Sequence, residues 1–266
     1  MLPFVQSALS PYGRMLPKVP PMTHNPVFNT EGEFEETPAF FFCDHATNFV
    51  PSHFDNLGLD HRYLETHIAF DIGALELSRT LSRRYGARLA WCGFSRLIID
   101  PNRSKDRSDL IPEISDGIEV IGNSELSEAD REARTRDFFE PYHHALAGEI
   151  GMSLARFDDP LIVSLHSFTP ALHTDHKPRA WEVGVLWSHD EPTARAFMAN
   201  LAKSSEVIIG DNEPYDARGF NYSVDRHVKP HKARHLTLEV RQDLIGDAAG
   251  VARMADLLER PIGDLI

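Results

Sequence analysis

Residues 161–167 read Leu-Ile-Val-Ser-Leu-His-Ser, a short apolar run that ends in a histidine. Such a run is typical of a strand that is buried on both faces of a parallel sheet. Residues 39–45 repeat the pattern as Ala-Phe-Phe-Phe-Cys-Asp-His. Because open α/β sheets carry their chemistry at the carboxyl ends of their strands, we expect His45 and His166 to approach one point there.

A third apolar run contains an acidic residue instead of a histidine. Residues 236–241 read Leu-Thr-Leu-Glu-Val-Arg, with Glu239 between apolar neighbours. One histidine at the end of a strand is more often a core residue with its hydrogen bonds satisfied. Two histidines and a carboxylate, all on predicted strands, are the components of a hydrolytic zinc site, and together they favour one.

The pattern along the chain predicts the fold class. Apolar strand-like runs alternate with segments of helical period, which is typical of a mostly parallel sheet covered on both faces. The sequence therefore predicts a three-layer α/β fold with a mostly parallel mixed sheet. Strands are predicted at 39–43, 88–91, 97–99, 161–165, 183–187, 207–210 and 236–240, and helices at 64–85, 127–156 with a break at Pro141, 191–204 and from 247 onward.

The domain organisation follows from length and proline content. Residues 1–35 are rich in proline and lack a period, so we expect an extended N-terminal arm that is ordered only where it docks. Residues 36–266 are long enough for one large α/β domain and contain no convincing linker.

Composition narrows the classes of partner. The formal net charge is −13, from 40 acidic and 27 basic residues, which disfavours a nucleic-acid partner. A few arginines can still bind a small anionic substrate.

No apolar run is long enough for a membrane helix, and the N-terminus is a poor secretory signal, so we expect a cytoplasmic protein. Two cysteines do not define a disulfide framework. The sequence indicates no oligomeric state.

Two acidic residues fall where apolar residues are expected. Asp71 lies on the apolar stripe of the predicted helix 64–85, and Glu239 lies inside a strand. A buried carboxylate is costly without a partner, so each needs a cation or a hydrogen-bond donor. Asp71 could be a metal ligand or a member of a buried ion pair. Glu239 could be a general base whose pKa is raised by burial, or could pair with Arg241.

Two further clusters could contact a substrate. Arg96, Asn102 and Arg103 flank the predicted strand 97–99, and guanidinium groups bind carboxylates through paired hydrogen bonds. The alternative is a solvated turn. Tyr142 and His143 lie in a predicted helix that could reach the site, or could simply present an amphipathic face. The chain has no HExxH, GxSxG, P-loop or GxGxxG motif, so neither a serine hydrolase nor a nucleotide enzyme is supported.

Several short motifs, taken in order, resemble the N-formylglutamate amidohydrolase family over about residues 38–260. They are Cys43-Asp44-His45-Ala46-Thr47-Asn48, Phe70-Asp71-Ile72-Gly73-Ala74, Ser95-Arg96 with Asp100-Pro101-Asn102-Arg103, Leu165-His166-Ser167 and Glu239-Val240-Arg241-Gln242-Asp243-Leu244. The family is similar to the zinc carboxypeptidases, so the resemblance implies a zinc-exopeptidase-like (phosphorylase/hydrolase-like) fold.

The resemblance also implies roles for the residues that match. His45 and His166 correspond to zinc ligands, and Glu239 corresponds to the catalytic base. The related enzymes carry their carboxylate ligand three residues after the first histidine, where this chain has Asn48. Asp71 is the expected replacement as third ligand, with Asp44 as the reserve. Arg96 would stabilise the oxyanion, while Asn102 and Arg103, with Tyr142 and His143 as further candidates, would bind the substrate.

The implied reaction is zinc-assisted hydrolysis of N-formyl-L-glutamate to formate and L-glutamate, a step of histidine degradation. The sequence does not fix the acyl group or the amino acid. One rival is a zinc carboxypeptidase-like enzyme that cleaves short peptides, which an open pocket would support. The other is a non-catalytic binding protein of the same fold.

Overall fold

The computed structural model describes residues 25–34, 37–204, 206–219 and 221–266. Its strands are β1 Phe28–Glu31, β2 Ala39–Cys43, β3 Arg88–Cys92, β4 Ile114–Ser115, β5 Ile118–Glu119, β6 Leu161–Phe168, β7 Val183–Leu186, β8 Ile209–Asp211 and β9 His235–Arg241. Its helices are α1 His61–Leu64, α2 Ala74–Tyr85, α3 Glu128–Arg134, α4 Glu140–Arg156, α5 Glu191–Ser204, α6 Tyr222–His227 and α7 Ala248–Gly263.

Seven strands form one sheet in the order β1-β3-β2-β6-β9-β7-β8. The central strands β3, β2, β6 and β9 run parallel, whereas β1 and β7 are antiparallel to their inner neighbours. This arrangement confirms the prediction of a mostly parallel mixed sheet. The register places His166 directly opposite Glu239, so these two side chains emerge side by side from adjacent strands.

Two apolar cores cover the faces of the sheet. One core joins the sheet to α2, α5 and α7, and the other joins it to α4 and the segments around it. Strand β2 shows why this sequence must lie at the centre, since Phe41 faces one core while Phe40 and Phe42 face the other. Each fully buried phenylalanine contributes about 1.5–3 kcal/mol relative to an exposed one. Helices on both faces confirm the three-layer architecture.

The end of the N-terminal arm belongs to the sheet. Residues 28–31 pair with β3 as an antiparallel edge strand, and the Asn25 side chain accepts hydrogen bonds from the backbone of Val27 and Phe28. Residues 1–24 and residue 35 of the predicted arm lie outside the described residues.

The prediction of one helix over residues 64–85 is wrong in its first half. Helix α2 begins at Ala74, and Asp71 lies in the turn before it. Gly73 adopts a φ of +77°, a left-handed conformation through which an α-helix cannot continue. A Cβ atom on Gly73 would also lie 2.1 Å from the carbonyl oxygen of Ile245, so the close approach requires glycine. Leu64 is buried from the end of α1 and Ile68 from the turn that follows, so the two do not share the face of one long helix.

The predicted strand at residues 97–99 is also wrong. Leu97, Ile98 and Ile99 are fully buried, but they form a turn. Side chains satisfy the backbone there, because Asn123 donates to the carbonyl of Leu97 and Arg134 donates to the carbonyl of Ile98. A buried apolar run therefore needs no partner strand at this place.

The break predicted at Pro141 is present. Ser127 caps α3 through a reciprocal pair of hydrogen bonds with Asp130, as its position before the helix predicted. A π-helical turn over Thr135–Phe139 then precedes α4, and Pro141 lies in the first turn of α4. The backbone stays helical from α3 through this turn into α4, so the break is a change in hydrogen bonding and not an end of the helix.

Candidate metal centre

Three predicted ligands meet at the carboxyl edge of the sheet. His45 follows β2, His166 lies on β6, and Asp71 lies in the turn before α2. The backbone N–H of Asp71 donates to the carbonyl of His45. One nitrogen or oxygen atom from each residue lies within 4.8 Å of the others. Asp71 Oδ2 is 2.8 Å from His166 Nδ1 and 3.3 Å from His45 Nδ1. All three side chains are buried, and imidazole with carboxylate is a donor set that suits zinc.

The outer nitrogens of both imidazoles face carboxylates. His45 Nε2 is 2.7 Å from Asp100 Oδ1, and His166 Nε2 is 3.6 Å from Asp44 Oδ2 and 3.1 Å from Ser164 Oγ. Metal-binding histidines commonly donate their second N–H group to a carboxylate in this way, which fixes the tautomer and the ring orientation. The residues present therefore fit a divalent metal ion, with Nδ1 of each histidine directed inward.

The reserve candidates for the third ligand lie apart from this point. Asp44 Oδ1 accepts hydrogen bonds from the Tyr142 hydroxyl at 2.6 Å and the Ser223 hydroxyl at 2.7 Å. Asp44 Oδ2 faces the outer nitrogen of His166, so this carboxylate supports the ring from behind. Asn48 is half-buried and donates to Glu65. Of the three candidates, the structure brings Asp71 to both histidines.

Neighbouring charges in the cluster shift the pKa values of its ionisable side chains. Burial alone would raise the pKa of Asp71, but His45 and His166 outweigh it and hold this pKa well below its usual range. Burial opposes protonation of His45, as does Arg96, yet Asp100 and Asp71 leave its pKa raised. The pKa of His166 is raised in the same way by Asp44 and Asp71 against the effect of burial. The site therefore favours positive charge, which a metal ion can supply in place of protons.

Arg96, which is half-buried, forms an ion pair with the buried Asp100 beside the ligands. The Arg96 guanidinium donates to Asp100 Oδ2 through Nη2 at 2.6 Å and Nε at 3.0 Å, while its Nη1 is 3.6 Å from Asp71 Oδ1. Asp100 Oδ1 also accepts the backbone N–H of Asn102 at 2.8 Å. One carboxylate thus ties His45, Arg96 and the segment that carries Asn102 to the same point.

A cavity of about 140 Å³ opens over the cluster. Besides the three candidate ligands, it is lined by Arg96, Asn102, Arg103, Ser167, Tyr215 and Glu239. A cavity of this size accommodates a small molecule, and its lining combines positive charge with carboxylates.

Glu239 is the carboxylate in this cavity that the cluster does not use. Its side chain is 7% exposed, and its Oε2 has no hydrogen-bond partner among the described residues. Burial raises the pKa of Glu239 to about 7, although the charge of His166 opposes this rise. The alternative of an ion pair with Arg241 is wrong, because Arg241 pairs with Asp243 at 2.8 Å. A carboxylate with a pKa near neutrality is suited to act as a general base.

Asn102 and Arg103 line the cavity and are held in place by hydrogen bonds. Asn102 is 6% exposed, and its Oδ1 accepts the backbone N–H of Ser223 at 3.0 Å, so the alternative of a solvated turn is wrong for this residue. Arg103 donates to Asp109 Oδ2 through Nε at 3.1 Å and to the carbonyl of Asn102 through Nη1.

Tyr142 and His143 do not line the cavity, which corrects the expectation that they contact the substrate. Both side chains are fully buried, and a side chain without access to the cavity cannot touch a ligand there. The hydroxyl of Tyr142 donates to Asp44, and His143 Nδ1 lies 2.8 Å from His227 Nε2. Tyr142 therefore supports the carboxylate behind His166.

Two residues of the site carried no sequence signal of their own. Tyr215 lies in an irregular segment after β8, and Ser223 lies at the start of α6. Arg179 donates to the Tyr215 hydroxyl at 3.1 Å and stacks over its ring, with its guanidinium carbon 5.2 Å from the ring centroid. Burial raises the pKa of the Tyr215 phenol. Neither position belongs to a periodic pattern, so only the folded chain reveals them.

Hydrolysis of an amide needs a base for water and a centre that polarises the carbonyl group. Glu239 and the cluster of His45, Asp71 and His166 provide groups suited to both tasks, within one small cavity. The fold and this cavity therefore place the chain in the class of α/β amide hydrolases.

Comparisons with known proteins identify the family. Residues 37–246 match the N-formylglutamate amidohydrolase family, and the chain belongs to this family of enzymes that hydrolyse amide bonds. The crystal structure of gene product Atu2144 from Agrobacterium tumefaciens is similar, with 30% identity, a TM-score of 0.84, and coverage of 91% of this chain and 95% of that one. The comparison with curated proteins found no match.

A second solved structure shares the fold. It is the N-formylglutamate amidohydrolase from Ralstonia eutropha JMP134, with 19% identity, a TM-score of 0.65, and coverage of 91% of this chain and 97% of that chain. No helix among the described residues has the length and apolar character needed to cross a lipid bilayer.

Proposed function

We propose that this protein is a zinc-dependent amidohydrolase of small N-acyl amino acids, with N-formyl-L-glutamate as the first substrate to test. The supporting observation is the buried carboxylate of Glu239, whose Oε2 has no hydrogen-bond partner among the described residues, in the same cavity as the cluster of His45, Asp71 and His166. In the proposed reaction the amide C–N bond breaks and a water molecule is consumed, which releases a carboxylic acid and an amino acid.

Glu239 performs the proton transfers in this proposal. His45, Asp71 and His166 would hold the zinc ion, which when bound would supply Lewis-acid chemistry for the amide carbonyl and for water. The Glu239 carboxylate accepts the proton of the attacking water and then delivers it to the leaving nitrogen. General acid–base catalysis of this kind typically contributes ~10²–10⁴-fold to the rate.

Three residues orient the substrate and stabilise charge. Arg96, fixed by Asp100, directs its guanidinium into the cavity and stabilises the oxygen on which negative charge develops. Arg103 and Asn102, which line the same cavity, bind the carboxylate of the amino acid. An anionic substrate gains from these cations even in a chain of net charge −13.

The size of the cavity favours a small substrate over a peptide. A space of about 140 Å³ holds an N-acyl amino acid, whereas a peptide would have to extend beyond it. A non-catalytic binding protein would have no need for a base with a pKa near 7 inside its ligand cavity.

Metal analysis joined to an activity assay tests the proposal. We expect about one zinc per chain, release of formate from N-formyl-L-glutamate, loss of turnover on chelation, and recovery when zinc is restored. Glu239→Gln should keep the zinc and lose at least ~10²-fold in kcat. Glu132→Gln, an exposed glutamate on α3, is the matched control and should retain full turnover.

Three outcomes would contradict the proposal. A protein that binds no zinc and hydrolyses none of these substrates would be a binding module. Cleavage of short peptides at a higher kcat/KM than N-acyl amino acids would support the carboxypeptidase-like rival. Full turnover by the Glu239→Gln variant would remove Glu239 from the mechanism.

A further inference from the structure

A second chamber of about 150 Å³ adjoins the metal cavity. The two spaces share four wall residues, namely Asp71, Arg96, Ser167 and Tyr215. The second chamber is otherwise lined by His67, Ser115, Asp116, Phe168, Thr169 and Leu172. Among the described residues, neither Asn102 nor Arg103 lines it, so it is a separate extension of the site.

Asp116 organises the walls of this chamber. It occupies the tight turn between β4 and β5 with a φ of +45°. Its Oδ2 accepts from His67 Nε2 at 3.0 Å and from the backbone N–H of His173 at 2.8 Å. Its Oδ1 accepts from the backbone N–H and the hydroxyl of Thr174. These hydrogen bonds join the hairpin, His67 and the segment after β6, and they occupy both oxygens of Asp116.

The polarity of the chamber follows from these contacts. Because His67 uses Nε2–H as a donor to Asp116, its neutral ring offers Nδ1 as a hydrogen-bond acceptor. Burial lowers the pKa of His67, which favours the neutral ring although Asp116 opposes this effect. Phe168 and Leu172 add apolar wall. The chamber thus combines two apolar side chains with a mostly polar lining, in which Nδ1 of the neutral His67 ring is an acceptor for a donor on the ligand.

We propose that this chamber is a subsite for the acyl group, which lets the enzyme hydrolyse N-acyl amino acids whose acyl chain is longer than formyl and ends in a hydrogen-bond donor. The inference rests on the proposed function. In the proposed binding mode the substrate carboxylate lies at Asn102 and Arg103 and the amide lies at the metal centre. The remaining space for the acyl group is this chamber. A formyl group would leave it unfilled.

The first test compares substrates that differ only in the acyl group. The zinc-loaded enzyme is assayed with N-formyl-, N-propionyl- and N-(3-hydroxypropionyl)-L-glutamate. We expect kcat/KM for the hydroxypropionyl compound to equal or exceed that for the formyl compound. Leu172→Trp, which fills the chamber, should lower the ratio of hydroxypropionyl to formyl turnover at least ~10-fold. Met152→Trp, an exposed position on α4, is the control and should leave the ratio unchanged.

A binding measurement tests the hydrogen bond without turnover. In the Glu239→Gln background, calorimetry gives Kd for the propionyl and hydroxypropionyl compounds. We expect the added hydroxyl to tighten binding ~2–10-fold, the effect of one net hydrogen bond. Adding His67→Phe should abolish this difference, since phenylalanine keeps the ring volume and removes the acceptor.

The outcomes separate this inference from the function on which it rests. If the enzyme hydrolyses the formyl compound, and kcat/KM for both longer compounds is less than ~1% of the value for the formyl compound, the subsite is overturned and the proposed function stays intact. No turnover of any of the three compounds would overturn both. If Leu172→Trp changes discrimination between N-formyl-L-glutamate and N-formylglycine instead, the chamber holds the side chain of the amino acid, and the acyl assignment fails.

Discussion

Glu239→Gln should stabilise the metal-free protein at alkaline pH. Burial raises the pKa of Glu239 from 4.5 to about 7, so the folded state resists ionisation of a group that ionises freely in the unfolded chain. Between these two pKa values the folded state holds more protons than the unfolded state. Stability from this group is therefore present in acid and is lost as pH rises toward 7.

The magnitude follows from the size of that rise. At about 1.4 kcal/mol for each pH unit, the full penalty is about 3 kcal/mol, of which about 2–3 kcal/mol develops between pH 5 and pH 8. Glutamine has the same shape and no charge, so it does not incur this penalty. Between pH 5 and pH 8, the unfolding free energy of the variant should therefore rise by about 2–3 kcal/mol relative to that of the wild type.

Urea denaturation of chelator-treated protein at pH 5 and pH 8 measures the effect. Ionisable groups that do not interact with Glu239 contribute equally to both proteins and cancel in the difference. His166 does not cancel fully, because the charge of Glu239 helps to raise its pKa. Glu132→Gln, at an exposed position on α3, is the control variant for the same measurement. A Glu239→Gln difference that is equal at the two pH values would refute the argument that burial perturbs this carboxyl group.

Three further predictions concern single contacts. His166→Ala should reduce bound zinc from about one to less than ~0.1 per chain, because two protein ligands bind weakly; retention of zinc on metal analysis would exclude this histidine as a ligand. Arg103→Ala should raise KM for N-acyl amino acids ~10–100-fold, from the loss of a charge-assisted hydrogen bond, and should affect the corresponding amino-acid amides far less; equal losses would make Arg103 structural. Tyr142→Phe should lower the unfolding free energy by about 1–3 kcal/mol in urea titrations, because Asp44 loses a buried donor; an unchanged free energy would contradict the importance of that bond.

The sequence predicted those parts of the fold that depend on continuous apolar runs. Strands β2, β6 and β9 were predicted because their centres are mostly apolar, and the first two of these runs located His45 and His166. The burial of Asp71 was also predicted, because a carboxylate among apolar residues needs a partner wherever the backbone goes.

The errors arose where tertiary contacts override local pattern. The apolar spacing before Gly73 fits a helix, but the close approach of Ile245 imposes a turn. The run at residues 97–99 fits a strand, but side chains from residues 123 and 134 satisfy its backbone. Tyr215 enters the cavity from an irregular segment whose course depends on its contacts with Arg179. No spacing rule reports such contacts.

The anchoring of residues 97–99 means that metal binding and substrate binding depend on parts of the chain that are held in different ways. The candidate metal ligands are attached to the sheet and its core, whereas the chain that bears Arg96, Asn102 and Arg103 is held from outside by Asn123 and Arg134. Arg134 also donates to the side chain of Asn123 and to the carbonyl of Gly122, so one guanidinium secures three points. Selection can therefore remodel the substrate-facing loop while these two anchors are kept, and a laboratory exchange of this loop between relatives should carry both anchors with it.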